Sequence, residues 1–257
     1  MTPLANGRIV IWQGGSLWVF HVPTPPPGAP RSTDFHAHHA IQVTLALDGA
    51  FRLNVMDRQV SGPAAIVAPN VRHAFEPTGL IALVFIEPES PAGRAISSAL
   101  LGEAPVAGAP LALLDDGPAR ISAAFSDPLR DDGRLREIGQ MLIRRLAGEA
   151  EAPAPDPRVQ ATIAWAAQRL DERLGVSEAA RRVGLSPDRM SHLFVEQTGL
   201  PFRTYLLWLR MTRAVELYAD GASITQAAHE AGFADSAHFS RTFRRMFGVA
   251  AAELNLA

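Results

Sequence analysis

Two stretches near the carboxyl end share one pattern: Ser177-Glu-Ala-Ala180-Arg-Arg-Val-Gly184-Leu185 and, 48 residues later, Thr225-Gln-Ala-Ala228-His-Glu-Ala-Gly232-Phe233. In each copy a small alanine lets two helices cross closely, and a glycine four residues on can end the first helix in the left-handed conformation. The apolar positions downstream also repeat, with the pairs Met190 and Phe239, Phe194 and Phe243, and Gly199 and Gly248. The sequence therefore predicts two helix-turn-helix motifs, over about residues 175–199 and 223–248.

The second helix of each motif has its own start signal. Ser186 before Pro187 is a good N-cap in the first copy, and Asp235 or Ser236 can serve in the second. Apolar residues recur on these helices at three- and four-residue intervals, which predicts one buried face and one free polar face. Between the motifs, residues 201–218 predict a connecting helix whose packing residues are Tyr205, Leu206, Leu209 and Leu217. This connecting helix would hold the second helices of the two motifs, the recognition helices, about 34 Å apart, which is one turn of duplex DNA.

A helical domain that binds another protein is the alternative interpretation, and the paired glycines with their connector argue against it. Residues 158–250 resemble the DNA-binding domain of the AraC/XylS family of bacterial transcription regulators. Three runs carry this resemblance: Phe194-Val-Glu-Gln-Thr-Gly199, Tyr205-Leu-Leu-Trp-Leu-Arg210-Met-Thr-Arg-Ala214, and Ala228-His-Glu-Ala-Gly-Phe233-Ala-Asp-Ser-Ala-His-Phe239-Ser-Arg241-Thr-Phe-Arg-Arg-Met-Phe-Gly248. Residues 251–257 depart from the family's usual Pro-x-x-Tyr-Arg ending, which affects the last expected backbone contacts.

The resemblance implies double-stranded DNA as a partner, a homodimer, and contact with RNA polymerase if the protein is an activator. It also implies base contacts from the exposed start of each recognition helix. Those positions are Asp188, Ser191 and His192 in the first copy, and Ser236, Ala237, His238 and Arg241 in the second. We expect most from Arg241, because arginine can donate two parallel hydrogen bonds to guanine O6 and N7; a surface ion pair is the alternative.

Other polar residues of these helices have different expected roles. Asp188 would be repelled by phosphates, so capping its own helix is favoured over accepting from cytosine N4. His192 would donate to a base or cap a neighbour. Arg189, Arg244 and Arg245 are expected to contact phosphates, which fixes register without reading sequence.

The first 91 residues predict short strands and tight turns. The predicted strands are 8–13, 17–22, 41–47, 51–56, 64–68 and 81–86, with hairpins at Gly14-Gly15 and Asp48-Gly49 and a proline-rich loop over 23–30. This pattern favours a sandwich or small barrel and resembles the cupin barrel usual in AraC-type regulators. The expected fold is therefore multi-domain α+β: a cupin-like β-barrel with following helices, then an all-α double helix-turn-helix domain.

Four polar residues of this region suggest an effector site. His36, His38, Gln42 and His73 resemble the cupin pattern His-x-His-x3-Glu with a distant histidine, except that Gln42 replaces the glutamate. Positions 36, 38 and 42 share parity, so on one strand they would point to one face. A divalent ion such as Zn, Ni, Fe or Mn, held by the three histidines, is one interpretation.

The other interpretation of these residues is a metal-free pocket for a small-molecule effector, lined also by Trp18, Phe20, Arg52 and Phe75. No cofactor would then be required. The rival function is a metal-dependent cupin enzyme, such as a dioxygenase or isomerase, fused to a DNA-binding domain. With an amide in place of the carboxylate and no acid–base pair beside the histidines, we expect a regulator and not an enzyme.

Patterns along the chain predict its division into domains. The expected parts are 1–91 as the barrel, 92–150 as a helical segment, 151–157 as a proline-rich linker and 158–257 as the DNA-binding domain. Leu135, Ile138, Leu142 and Leu146 form one apolar helix stripe, which fits either packing on the barrel or a dimer helix.

Composition adds weaker constraints. The chain has 257 residues, no cysteine and a net charge of −2, so disulfides and thiolate metal sites are excluded. Residues 158–257 carry 12 Arg against 10 acidic residues, whereas residues 1–157 carry 12 against 16. Neither a signal peptide nor a membrane-spanning run is evident, so we expect a cytoplasmic protein without a membrane partner.

Overall fold

A computed structural model describes residues 4–24, 32–149 and 154–256. The chain divides into two compact units, one comprising Met1–Ala152 with Ser240–Ala257 and the other Pro153–Phe239. Most of the predicted proline-rich loop (25–30) and residues 151–153 of the predicted linker lie outside the described residues. The carboxyl-terminal residues from 240 onward thus group with the strands of the first unit, and the predicted boundary at 151–157 stays a prediction.

The first unit is built on one sheet. Its strands are β1 Ala5–Trp12, β2 Gly15–Val22, β3 Ile41–Val55, β4 Arg58–Ser61, β5 Ala64–Val67, β6 His73–Ile86, β7 Val106–Gly108 and β8 Leu254–Asn255. Their order is β7-β5-β3-β6-β2-β1-β8, and β4 pairs with β3. The β1–β8 pair is parallel and the other pairs are antiparallel. The helices of this unit before the linker are α1 Pro91–Ile96, α2 Leu111–Leu114, α3 Gly117–Ser126 and α4 Asp132–Ala147, with a π-helical turn over Ser97–Leu101.

The hairpin predicted at Asp48-Gly49 is wrong. Strand β3 continues through this point and stays paired with β6, with a register shift between Ala46 and Asp48. A Cβ atom on Gly49 would stand 2.1 Å from the backbone oxygen of Thr78, so the glycine permits a close strand contact. The chain turns later, at Met56, whose φ is +52°.

The register shift in β3 exchanges which side chains face each side of the sheet. Ile41, Val43 and Leu45 lie in the core formed with the helices, whereas Phe51 and Leu53, beyond the shift, lie in a second apolar cluster on the opposite face. We call this opposite face the inner face. Trp18, Phe20 and Phe75 are buried, and their role in lining an effector pocket stays a prediction.

Arg52 does not line the inner face, and the expectation for it is wrong. Its neighbours Phe51 and Leu53 point inward, so the alternation of the strand turns Arg52 outward. The Arg52 side chain is 52% exposed, and its Nε lies 3.3 Å from a Glu76 carboxylate oxygen.

The apolar stripe of α4 packs against its own sheet. Leu135, Ile138, Leu142 and Leu146 are all buried, in one cluster with strand residues such as Val10 and Leu17. Gly139 brings the helix close to β1, because a Cβ there would stand 2.5 Å from the Trp12 ring. The interpretation of this helix as one packed on its own barrel is confirmed, and the stripe offers no free face for a dimer.

The second unit is helical, and its elements follow the predicted repeat. The helices are α5 Pro157–Ala167, α6 Val176–Arg182, α7 Pro187–Thr198, α8 Phe202–Ala219, α9 Ile224–Glu230 and the beginning of α10 Ser236–Phe247. The buried Ala180 and Ala228 lie in the first helix of each motif. Gly184 and Gly232 follow with φ of +70° and +80°. These are the small contacts and left-handed helix ends that the repeat predicts.

The predicted helix caps are also present. The Ser186 hydroxyl accepts from the Arg189 backbone N–H at 3.3 Å, and an Asp235 carboxylate oxygen accepts from the His238 N–H at 2.6 Å. The connecting helix α8 buries Tyr205 and Leu206 as expected, and also Trp208 and Met211. Within the described ranges, every helix is too short or too polar to span a bilayer.

Candidate nucleic-acid interface and histidine site

Helix α7 presents a polar face that begins at its amino end. Met190, Leu193 and Phe194 are buried on one side. The predicted DNA-contact residues of this helix lie on the other side and are all exposed: Asp188, Arg189, Ser191 and His192. The helix thus has the arrangement that a recognition helix needs, with apolar anchors inside and polar groups free to meet a groove.

The surroundings of Asp188 and Ser191 show whether each side chain caps the helix or is hydrogen-bonded. The capping side chain of α7 is Ser186, so Asp188 does not act as the cap that we expected. Asp188 lies in the first turn, where a carboxylate is favoured by the helix dipole. The Ser191 hydroxyl donates to the Pro187 carbonyl oxygen at 2.9 Å, which leaves its lone pairs able to accept.

Helix α10 carries the predicted residues of the second motif. Ala237, Arg241, Arg244 and Arg245 are exposed, whereas Ser236 and His238 are half-buried. The His238 ring packs edge-on against Phe233, with centroids 5.2 Å apart. His238 therefore contributes to packing of the turn, and Arg241 is the exposed cation nearest the start of the helix.

The three predicted histidines converge in the first unit. His36, His38 and His73 are buried, and one ring nitrogen of each lies within 4.8 Å of the others. His36 and His73 also form a two-way backbone bridge, with both N–H to oxygen distances at 2.9 Å. The expectation that positions 36, 38 and 42 share a strand is wrong, since β3 begins at Ile41. The rings meet because the segment before β3 pairs with the start of β6.

Backbone carbonyls fix the orientation of all three rings. The Nδ1 atoms of His36, His38 and His73 lie 2.8, 3.0 and 2.9 Å from the carbonyl oxygens of Asp34, Ala40 and Val71, respectively. A carbonyl oxygen only accepts, so each Nδ1 carries the proton and each Nε2 keeps its lone pair. The site therefore presents three Nε2 lone pairs, the tautomer found in metal-binding imidazoles.

Burial keeps these rings neutral near pH 7. Desolvation, and secondly the nearby His73, lower the pKa of His36 to about 4. Desolvation also lowers the pKa of His38 well below its ordinary range, with His73 and His36 adding to the effect, and lowers the pKa of His73. Neutral imidazole is the form that binds a metal ion.

The hydrogen-bond partners of His73 Nε2 and His38 Nε2 bear on whether the cluster can hold a cation. His73 Nε2 is buried and has no hydrogen-bond partner in the part of the chain that the structure describes. His38 Nε2 lies 3.0 Å from the Gln42 side-chain oxygen, and the Gln42 amide nitrogen lies 2.9 Å from Thr44 Oγ1. A buried lone pair without a donor is costly, so this cluster fits a bound cation.

Some neighbours of the site were not predicted. The adjacent His39 turns away and its Nε2 lies 2.9 Å from a Glu89 carboxylate oxygen. Asp34, two residues before His36, pairs with Arg244 of α10, with the carboxylate oxygen 2.6 Å from Nε. Because Asp34 and Arg244 are 210 residues apart, no local pattern could reveal their contact.

Comparisons with known sequences match part of the chain. A family model described as a helix-turn-helix domain matches residues 179–255. The arabinose operon regulatory protein of Salmonella typhimurium is 31% identical over 132 residues, which cover 48% of this chain and 47% of that protein. The HTH-type transcriptional activator RhaS of Escherichia fergusonii is 37% identical over 101 residues, covering 38% and 36%. The chain thus spans about half or less of the length of these curated relatives.

Comparison with solved structures concerns almost the whole chain. A structure of ToxT from Vibrio cholerae covers 94% of this chain and 97% of its own, with a TM-score of 0.58 and 13% identity. A second ToxT structure, described as bound to an unsaturated fatty acid, has a TM-score of 0.56 and 11% identity. At this identity the likeness concerns the fold. It confirms the predicted fold class, in which a sheet-rich amino-terminal part precedes helix-turn-helix elements.

Proposed function

We propose that the chain is an AraC-type regulator through its helix-turn-helix domain, and that the whole protein is a sequence-specific transcription regulator controlled by a small effector bound in its sheet-rich amino-terminal part. The observation that carries this proposal is the repeated motif itself. Both copies have a buried alanine, a left-handed glycine and a capped second helix with exposed polar residues.

The exposed residues support readout of duplex DNA with modest nonspecific affinity. Arg241 can provide bidentate contact to guanine, while Arg189 and Arg245 are placed to contact phosphates. Each phosphate contact releases a counterion, so operator affinity falls as salt rises. Because the chain as a whole has a net charge of −2, its nonspecific attraction to the phosphate backbone should be modest.

Selection of bound fragments from genomic DNA tests this function. The full chain is incubated with the fragments, and the retained sequences are compared with shuffled versions of equal composition in mobility-shift titrations. We expect at least about a thousandfold preference for the selected sequence, typical of specific DNA-binding proteins. Equal affinity for selected and shuffled fragments would contradict the proposal.

We propose that the effector site is the histidine cluster and that it takes a divalent metal ion. Three Nε2 lone pairs with the Gln42 oxygen match the mixed nitrogen and oxygen sets of Zn, Ni, Fe or Mn sites. Tetrahedral Zn–N bonds of about 2.0–2.1 Å place ligand atoms about 3.4 Å apart. The ring nitrogens all lie within 4.8 Å of one another, so modest side-chain movement would bring them to that spacing. When bound, the ion would join the segment before β3 to the start of β6 and change the balance between conformations.

Metal analysis of tag-free protein tests the effector site. We expect about one equivalent of Zn²⁺ to bind in a calorimetric titration at pH 7. His73→Ala should abolish binding, whereas His21→Ala, which removes an exposed histidine of β2, should not. Equal binding by the two variants would overturn the assignment of the ion to this cluster, and no binding by the unmodified chain would favour a metal-free effector such as the fatty acid described for one ToxT structure.

A regulatory role is favoured over a catalytic one. In the described part of the chain, the group of candidate metal ligands contains three histidines and no carboxylate. The nearby carboxylates of Glu89 and Asp34 contact His39 and Arg244 instead. We therefore propose no enzyme activity, and action in the cytoplasm, where the DNA is. A homodimer would need a surface other than the buried α4 stripe, and contact with RNA polymerase would accompany activation.

A further inference from the structure

The end of the second recognition helix is bound to the segment that carries His36. The Arg244 Nε donates to a carboxylate oxygen of Asp34 at 2.6 Å. One turn later, the Gly248 carbonyl oxygen accepts from the Asp34 backbone N–H at 2.8 Å. Asp34 thus contacts α10 through its side chain and the residue that follows α10 through its backbone.

Gly248 lets this contact be unusually close. Its φ is +73°, and a Cβ atom there would stand 2.5 Å from both the Asp34 carbonyl oxygen and His36 Nδ1. The same Asp34 oxygen holds His36 Nδ1 at 2.8 Å. The carbonyl that orients a histidine of the effector site therefore also lies against the end of α10.

Aromatic packing extends the contact across the histidine cluster. The Phe247 ring lies 4.8 Å from Trp18, 5.9 Å from Phe85 and 6.1 Å from His38, measured between centroids. A change in the position of His36 or His38 would therefore be transmitted directly to the last turn of the recognition helix.

We propose that Asp34, Arg244 and Gly248 form an autoinhibitory latch. While the latch is closed, the Arg244 guanidinium pairs with the Asp34 carboxylate and is not free for DNA. The Asp34 carboxylate would also repel a DNA phosphate that approaches Arg244. When the latch opens, Arg244 becomes free for a phosphate. The inference rests on the DNA-binding function proposed above, and it holds whichever effector the barrel takes.

The energetics suit a reversible switch. Both side chains of the ion pair are more than half exposed, 58% for Asp34 and 60% for Arg244. Exposed pairs of this kind shift an equilibrium by only a few-fold, about fivefold at most. A bias of that size can be reversed by an effector that binds one conformation only a few-fold more tightly.

Titrations of a selected operator fragment with three proteins at one salt concentration test the latch. The proteins are the unmodified chain, Asp34→Asn, and Asp57→Asn, which removes an equal charge from the exposed turn after β3. We expect Asp34→Asn to bind about two- to fivefold more tightly, and Asp57→Asn to bind like the unmodified chain. Equal or weaker binding by Asp34→Asn, relative to Asp57→Asn, would overturn the latch.

A double-mutant cycle separates the latch from general electrostatics. Arg244→Gln should weaken operator binding more in the Asp34→Asn background than in the unmodified chain, because only there is Arg244 free for a phosphate. In the Asp34→Asn background, Arg244→Gln should also reduce by about one the slope of log affinity against log salt concentration. An identical effect in both backgrounds would contradict the latch. A chain that binds selected and shuffled fragments equally would instead contradict the proposed function and the latch with it.

Discussion

His38 Nε2 and the side-chain oxygen of Gln42 lie 3.0 Å apart in the buried histidine cluster of the first unit. His38 already donates through Nδ1 to the Ala40 carbonyl, so the neutral ring has no second proton for Gln42. Either a cation joins the two atoms, or the amide is reversed so that its NH₂ group donates to Nε2. The first arrangement makes Gln42 the oxygen ligand of a site with three imidazoles.

A stronger oxygen ligand at this position should bind metal more tightly. We expect Gln42→Glu to raise the affinity for Zn²⁺ by about tenfold at pH 7, in line with the 10- to 100-fold effects of groups around metal ligands. Competition with a fluorescent chelator measures the change. Gln59→Glu adds the same charge on the exposed β4 and serves as the control. Equal affinities of the two variants would exclude Gln42 as a ligand.

Arg241 should carry the largest share of base readout in the second motif. Arg241→Ala is expected to weaken operator binding by about 1–3 kcal/mol and to relax the preference at one base pair. Arg136→Ala removes an exposed arginine from α4 and should leave binding unchanged. Mobility-shift titrations against the operator and its single-base variants measure both effects. An unchanged titration for Arg241→Ala would remove this residue from the interface.

The two turn glycines should tolerate alanine very differently. Gly184 and Gly232 both have positive φ, so each alanine costs about 1 kcal/mol of backbone strain. A Cβ on Gly184 meets open space, whereas a Cβ on Gly232 would stand 2.1 Å from the Leu170 carbonyl oxygen. We expect Gly232→Ala to lower the melting temperature clearly more than Gly184→Ala in calorimetry. Similar melting temperatures would show that the Leu170 contact gives way easily.

The buried Glu87 should make stability depend on pH. Burial, with the nearby Glu89 carboxylate, raises the pKa of Glu87 from 4.5 to about 7. The folded state therefore holds the proton more tightly than the unfolded chain, and stability falls as pH rises from about 4.5 through 7. Glu87→Gln should melt at a higher temperature than the unmodified chain at pH 8, and the difference should shrink towards pH 5. The exposed Glu137→Gln is the control, and a pH-independent difference would refute the assignment.

Local signals in the sequence predicted the helix-turn-helix elements well. Alanine contacts, left-handed glycines and the caps Ser186 and Asp235 are properties of a few adjacent residues, and the structure has all of them. The hairpin predicted at Asp48-Gly49 was wrong because Gly49 permits a close contact with Thr78 on another strand, and no local pattern encodes such a contact. The register shift between Ala46 and Asp48 also changes which face of the sheet Arg52 lies on.

Contacts between distant parts of the chain were beyond prediction from one sequence. The histidines were identifiable by type and spacing, but their Nδ1 partners are backbone carbonyls that only the folded loops provide. The α4 stripe fitted two partners equally, because a core-facing and a dimer-facing helix show the same periodicity. Asp34 carried no signal, since its role depends on Arg244 and Gly248 at the other end of the sequence.

Footprinting of the full chain on a selected genomic fragment tests the central claim most directly, because it shows whether two recognition helices read one duplex. We predict two protected segments with centres about 10–10.5 base pairs apart, and loss of protection in one of them for Arg241→Ala. Uniform protection along the fragment, or the same pattern on a shuffled sequence, would contradict the account.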